Sequence, residues 1–261
     1  MGRKKQPAAV PHILFRTAAG FFLFPAAAAV LYTSFKIFLL FCKDKNFMLP
    51  LCYGAAAYLI IAILSAIYEK KNGSNVFYIA AHEISHALTA MFFFFKVKDI
   101  NIGRRSGSVK LSGSNFIIGL APYFLPLYAV FTVLAYMILC YAAPEMRMAA
   151  KPWFTGLAGF FLSFHFIHTA EILAGPLQPD LQEEGGIIFS FPVIMIFSGI
   201  AAVALLMALG QENHGFRQAA AEFAADQKIF YIKAYYLLKY IYNYIAGTAA
   251  PFLKSVLNSV K

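Results

Sequence analysis

The chain has 261 residues, of which 61% are hydrophobic and only 13% charged, where soluble domains carry about 25% charged residues. That composition excludes an ordinary water-soluble enzyme and points to an integral membrane protein whose helices satisfy their own backbone groups in lipid. The net charge of +10 does not call for nucleic acid, because the basic residues sit in loops and tails, where they meet anionic lipid and set orientation.

Residues 1–12 form a basic, proline-containing tail. No small-residue cleavage site follows a short apolar core, so the first apolar run reads as a retained span rather than a signal peptide. That run, residues 13–42, carries Arg16 and Lys36, which can snorkel toward the interface. A polar turn at 43–46 leads to a second run at 47–68 and a polar loop at 69–74. The third run, 75–95, holds the sequence's most informative stretch. Residues 96–114 differ in kind: Val97, Ile100, Ile102, Val109 and Leu111 alternate with polar residues and with Gly103, Gly107 and Gly113. That pattern reads as a short β-hairpin, against the plainer reading of a basic surface loop. Its free edge could accept an extended substrate as a further strand.

The fourth run, 115–143, has Pro122 and Pro126 near its start, which predicts a kink. The fifth, 153–175, carries His165, His168, Thr169 and Glu171. A Pro- and Gly-containing segment, 176–186, precedes the sixth run, 187–209. From Gly215 the chain reads as an amphipathic helix rich in tyrosine and lysine, suited to the membrane interface rather than to a seventh span. Cys42, Cys52 and Cys140 are isolated and offer neither metal spacing nor a disulfide framework. The expected fold is an all-α polytopic membrane protein with about six transmembrane helices and a short β-hairpin after the third. Its parts are a tail (1–12), a transmembrane domain (13–210) and an interfacial C-terminal helix (211–261).

The third run contains Ala81-His82-Glu83-Ile84-Ser85-His86-Ala87. On a helix, positions i and i+4 share a face, so His82 and His86 can offer two imidazole nitrogens to one metal ion. Glu83 stands at the edge of that face, where it can take a proton from water activated by the metal. The alternative is a polar cluster satisfied inside a helix bundle, but three ionisable groups at bilayer depth are costly and mark a functional site by default.

A catalytic zinc needs a third protein ligand. Three sources are open: Asp180 in its Pro-flanked segment; His168 with Glu171, one turn apart on the fifth run; and Glu222 with Asp226 near the tail. His165, His168 and Glu171 could equally be outer hydrogen-bond partners of a ligand, and Glu222 and Asp226 a solvated helix face. If all six runs cross, the 69–74 and 176–184 loops lie on opposite sides, and Asp180 must dip inward on an irregular segment lining a wet cavity. The same count puts the N-terminal tail, the 69–74 and 144–152 loops and the C-terminal tail together on a cytoplasmic face.

The motif run through Ala90, followed by Lys96-Val97-Lys98-Asp99-Ile100 and a Gly-rich hairpin, resembles the site-2 protease family over about residues 75–200. These are intramembrane zinc metalloproteases. By resemblance Asp180 is the third ligand, joining His82 and His86 around one Zn²⁺ per chain, with Glu83 as general base. Leu181 rather than Gly follows Asp180, no Asn-x-x-Pro precedes it, and no PDZ domain is inserted, so the chain resembles a minimal, divergent branch. The resemblance implies a membrane-protein or peptide substrate cleaved in or near its spans, a bacterial inner (plasma) membrane setting with cytoplasmic termini, and a regulatory membrane partner of unknown kind. Two other readings use the same residues: a non-enzymatic transporter or metal-binding subunit, and a catalytically degenerate protease relative.

Overall fold

A computed structural model describes residues 10–72, 76–104, 106–210 and 216–259. Its helices are α1 (Val10–Phe41), α2 (Lys45–Asn72), α3 (Val76–Phe92), α4 (Phe116–Phe124), α5 (Leu127–Ala142), α6 (Arg147–Ala174), α7 (Pro179–Glu183), α8 (Gly186–Gly210) and α9 (Phe216–Ser259). One hairpin, β1 (Val97–Ile102) and β2 (Gly107–Leu111), separates α3 from α4. The protein is an all-α polytopic membrane protein. Among the described residues four helices are long and apolar enough to cross a bilayer, and α4 with α5, bent by 77°, make a fifth candidate. The bend falls at Leu125-Pro126, as the prolines lead one to expect.

The third run is where the expected six crossings fail. α3 has 17 residues, at the lower limit for a span, and it turns back. The Tyr128 hydroxyl donates to the Phe77 carbonyl (2.9 Å), the Tyr123 and His82 rings meet edge-on at 5.5 Å, and His86 Nδ1 donates to the Ile118 carbonyl (2.7 Å). Rising numbers on α3 meet falling numbers on α4 and α5, so the two run antiparallel. α2 and α6 run parallel: Lys45 and Asn46 line one cavity with Lys151 and Pro152, while Tyr58 packs on Phe164 and His168. Their backbones touch where Gly54 meets Gly156 and Gly159 meets Leu51, leaving no room for a Cβ, the small-residue packing that membrane helices favour. α1 and α8 also run parallel, with Gly20 on Ile188 and Gly210 on Phe41.

These directions fix the two ends of the bundle. The start of α1, the end of α2, the hairpin, the start of α4, α7 and the start of α8 share one end. The 42–44 turn and the start of α6 share the other. The chain therefore leaves α2 and enters α4 at the same end, and α3 with its hairpin adds no crossing. This corrects the expected topology: the end of α2, up to Asn72, and the 176–184 segment belong to the same end, and the 144–152 segment lies opposite to them. Asp180 needs no deep irregular excursion to meet α3.

The hairpin is confirmed. β1 and β2 pair antiparallel with Ile100 opposite Val109 and Ile102 opposite Gly107, and a register shift falls between Val97 and Asp99. Phe94, at φ 61°, turns the chain out of α3. The Asn115 side chain accepts from Ile118 N (3.0 Å) and caps α4, as a short polar side chain does at a helix start. A core of Leu120, Tyr123, Phe124, Leu181, Phe189 and Ile194 lies at the hairpin end. A second, around Phe41, Phe47, Tyr136, Leu206 and Leu209, lies at the other.

α9 returns along α1. Asp226 accepts from Thr33 Oγ1 (2.6 Å) and Lys36 Nζ (2.9 Å), Gln227 donates to the Ala26 carbonyl (3.0 Å), and Tyr231 donates to the Phe22 carbonyl (3.0 Å). The inner face repeats at three and four residues through Ala219, Glu222, Phe223, Asp226, Gln227 and Phe230, the spacing of a packed helix stripe. The first half of this helix is thus docked on α1 at the level of the spans, not laid alone on a membrane surface. From Tyr235 to Ile245 every side chain is exposed.

Candidate metal centre

Residues 76–92 are helical because an apolar run without proline or glycine leaves the i→i−4 ladder intact. His82 and His86 therefore stand one turn apart, with ring centres 4.9 Å from each other. α7 brings the third group. Pro179 starts this five-residue helix, and Leu181 is buried in the core between Leu120, Tyr123 and Phe189. Anchoring Leu181 sets the depth at which Asp180 meets α3. The leucine after Asp180 is therefore the buried foot of the segment that carries the acid.

The three ligand atoms form a tight triangle. His82 Nε2 lies 3.3 Å from His86 Nε2, and Asp180 Oδ2 lies 3.2 Å from the first and 3.5 Å from the second. A tetrahedral zinc with bonds of roughly 2.0–2.1 Å has ligand-to-ligand edges of roughly 3.3–3.4 Å. The triangle matches one face of such a tetrahedron, so the donor set and its spacing both fit zinc. Among the described residues this is the group of three or more His, Cys, Asp or Glu whose ligand atoms converge.

The outer nitrogens are tied off. His86 Nδ1 donates to the Ile118 carbonyl at 2.7 Å, which fixes the tautomer that leaves Nε2 free to bind a cation. His82 Nδ1 lies 3.3 Å from the Tyr78 hydroxyl. The Tyr123 side chain is fully buried and its hydroxyl donates to Asp180 Oδ2 at 3.4 Å.

Glu83 is buried, and the first residue of β2 closes over it. A Cβ at Gly107 would come 2.5 Å from Glu83 Cγ and 2.7 Å from its Oε1, so only glycine lets the hairpin pack this closely. The hairpin is therefore part of the wall around the carboxylate. In that hairpin Lys110 donates to Asp99 (2.9 Å) and holds the Asp99 carboxyl below its usual value.

The other candidates go elsewhere. His168 Nδ1 donates to Glu171 Oε2 (2.8 Å) and its Nε2 accepts from the Tyr58 hydroxyl (2.9 Å). Both residues line a separate cleft of about 260 Å³ with Tyr78 and Gln178 and do not join the triangle. The Tyr78 ring, 5.1 Å from that of His168 and 5.8 Å from that of His82, stands between the two groups. His165 is buried and hydrogen-bonds the Tyr123 carbonyl, with Nε2 unpartnered. Glu222 and Asp226 pair with Lys36 rather than forming the solvated face expected of them. Tyr78, Tyr123 and the Ile118 carbonyl were not legible in the sequence; Tyr78, four residues before His82, carried the only local signal.

No protein-family model matches this chain, and neither the curated proteins nor the solved structures contain a match.

Proposed function

We propose that this chain is an intramembrane zinc metalloendopeptidase, a divergent relative of the site-2 protease family, that hydrolyses peptide bonds in or near membrane-spanning segments. The observation that carries the reading is the triangle of His82 Nε2, His86 Nε2 and Asp180 Oδ2, with edges of 3.2–3.5 Å, one residue along the helix from a buried glutamate. His82, His86 and Asp180 would hold the zinc, leaving a fourth position open. A zinc ion held there would supply Lewis acidity, polarising a substrate carbonyl and lowering the pKa of a bound water toward about 7. Glu83 takes the proton from the attacking water and gives it to the leaving amine. The Ile118 carbonyl and the Tyr78 hydroxyl keep both imidazoles facing inward. The β1–β2 hairpin, closed on Glu83 through Gly107, lines up an extended substrate backbone beside it.

The two ends of the bundle differ in charge. Arg16, Lys70, Lys71, Lys96, Lys98, Arg104 and Lys110 belong to the end that carries the site, and the basic tail precedes it in the chain. Lys43, Lys45, Arg147, Lys151 and Arg217 belong to the other. The excess favours a cytoplasmic site and N-terminus in a bacterial inner membrane.

The test is cleavage of a reporter with one membrane span by the purified chain. Glu83→Gln keeps the zinc and loses cleavage by at least about 10²-fold, the lower range for a lost general base. Undiminished cleavage by that variant contradicts the assignment.

A further inference from the structure

The segment that delivers Asp180 is held by an ion pair that the metal motif does not use. Arg16, at the start of α1, donates from Nη1 to Glu184 Oε2 at 2.8 Å and to the Glu183 carbonyl at 3.2 Å. Glu184 is the residue that ends α7. Its carboxylate is buried against Gly119, where a Cβ would come 2.7 Å from Oε1. Gly119 follows Ile118, whose carbonyl holds His86. Gly185, at φ +109°, turns the chain directly over the Arg16 side chain, where a Cβ would lie 2.9 Å from Arg16 Cβ. An arginine and a glutamate at the end of a membrane bundle are costly unless paired and put to use.

We propose that Arg16 and Glu184 are positioning residues of the metal centre: their ion pair clamps the C-terminal end of α7 between α1 and α4, and so sets Asp180 at coordinating distance from His82 and His86. α7 has only five residues, too few to hold its own shape. Leu181 anchors it by apolar contact, which fixes depth but not rotation. Arg16 Nη1 donates to a side chain and to a backbone carbonyl at once, and that two-point hold fixes rotation. Glu184 touches the helix that orients His86, so one ion pair sets two of the three ligands relative to each other.

This inference rests on the zinc reading above. The full chain and its variants, purified in detergent, are titrated with zinc against a chromophoric chelator, and the melting temperature of the zinc-free protein is measured alongside. Arg16→Gln and Glu184→Gln each weaken zinc by about 10–100-fold, the usual effect of losing a group that orients a ligand, while the zinc-free melting temperature stays at the wild-type value. Arg16→Lys, which keeps the charge but loses the planar guanidinium that places Nη1, falls between them and wild type. Zinc affinity unchanged in both glutamine variants overturns the proposal and leaves the zinc reading standing. Weakening that tracks a fall in melting temperature across all three variants also overturns it, because the pair then holds the fold and not the ligand. A wild-type chain that takes up no zinc overturns both.

Discussion

At the scale of single residues, the local half of the site is legible and the distant half is not. His82, Glu83 and His86 lie within five residues on one helix, so their geometry follows from 3.6 residues per turn. Asp180 is 98 positions from His82, and only resemblance singled it out from His168 and Glu171. The structure brings Asp180 to both imidazoles and leaves the other two paired with each other. Glycines carry information that the sequence did not surrender. Gly107 was read as hairpin punctuation, yet it is the point where β2 meets Glu83. Gly107→Ala forces the glutamate or the strand to shift. A displacement of this size at a catalytic group costs on the order of 10²-fold in rate, so cleavage falls by about that factor while zinc content, measured on the same sample, is retained. Full activity in Gly107→Ala would separate the hairpin from the carboxylate.

Among the elements, four of the described helices, and a fifth if the bent α4–α5 pair is one span, are long and apolar enough to cross, and the third run is not among them. The third run is as apolar as its neighbours, and hydropathy cannot report that a helix turns back. What distinguishes α3 is its length of 17 residues and its antiparallel contact with α4, both properties of the fold. α9 misleads in the opposite sense. Its lysines and tyrosines suggested an interfacial helix, but its acidic and amide groups face α1 rather than headgroups. Asp226 is the most buried of these groups, pairing with Thr33 and Lys36 inside the stretch Phe15–Phe41 that is apolar enough to span. Removing the carboxylate leaves the Lys36 charge without its nearest partner. Asp226→Ala therefore frees α9 from α1, and limited proteolysis of reconstituted protein cuts within residues 216–235 at a concentration of protease that leaves the wild type whole. Equal resistance in the variant would show that apolar contacts alone hold α9 down.

For the whole molecule, the directions of the packed helices place α3, the hairpin and α7 at one end, and that arrangement lets a ligand near residue 180 meet ligands near residue 84 without burying a loop. It also puts the hairpin and the turn before α2 at opposite ends of the bundle. Single cysteines substituted for Ser108 in the hairpin and for Asn46 in the turn before α2, in a chain with Cys42, Cys52 and Cys140 replaced, report sidedness through a membrane-impermeant thiol reagent added to intact cells. Asn46→Cys reacts from outside and Ser108→Cys reacts only after the membrane is opened. The reverse pattern places the site on the outer face. The fold class was legible because lipid constrains composition so strongly. The number of crossings was not, because it depends on which apolar run packs against which.

The most direct measurement is the zinc content and coordination of the purified chain, by elemental analysis and X-ray absorption at the zinc edge. One zinc per chain is expected, with two nitrogen ligands and at least one oxygen at about 2.0–2.1 Å. His82→Ala, His86→Ala and Asp180→Ala each abolish it, and His168→Ala and Glu171→Ala keep it. A chain that binds no zinc, or one that holds it as firmly without Asp180, contradicts the metal centre on which the proposed function depends.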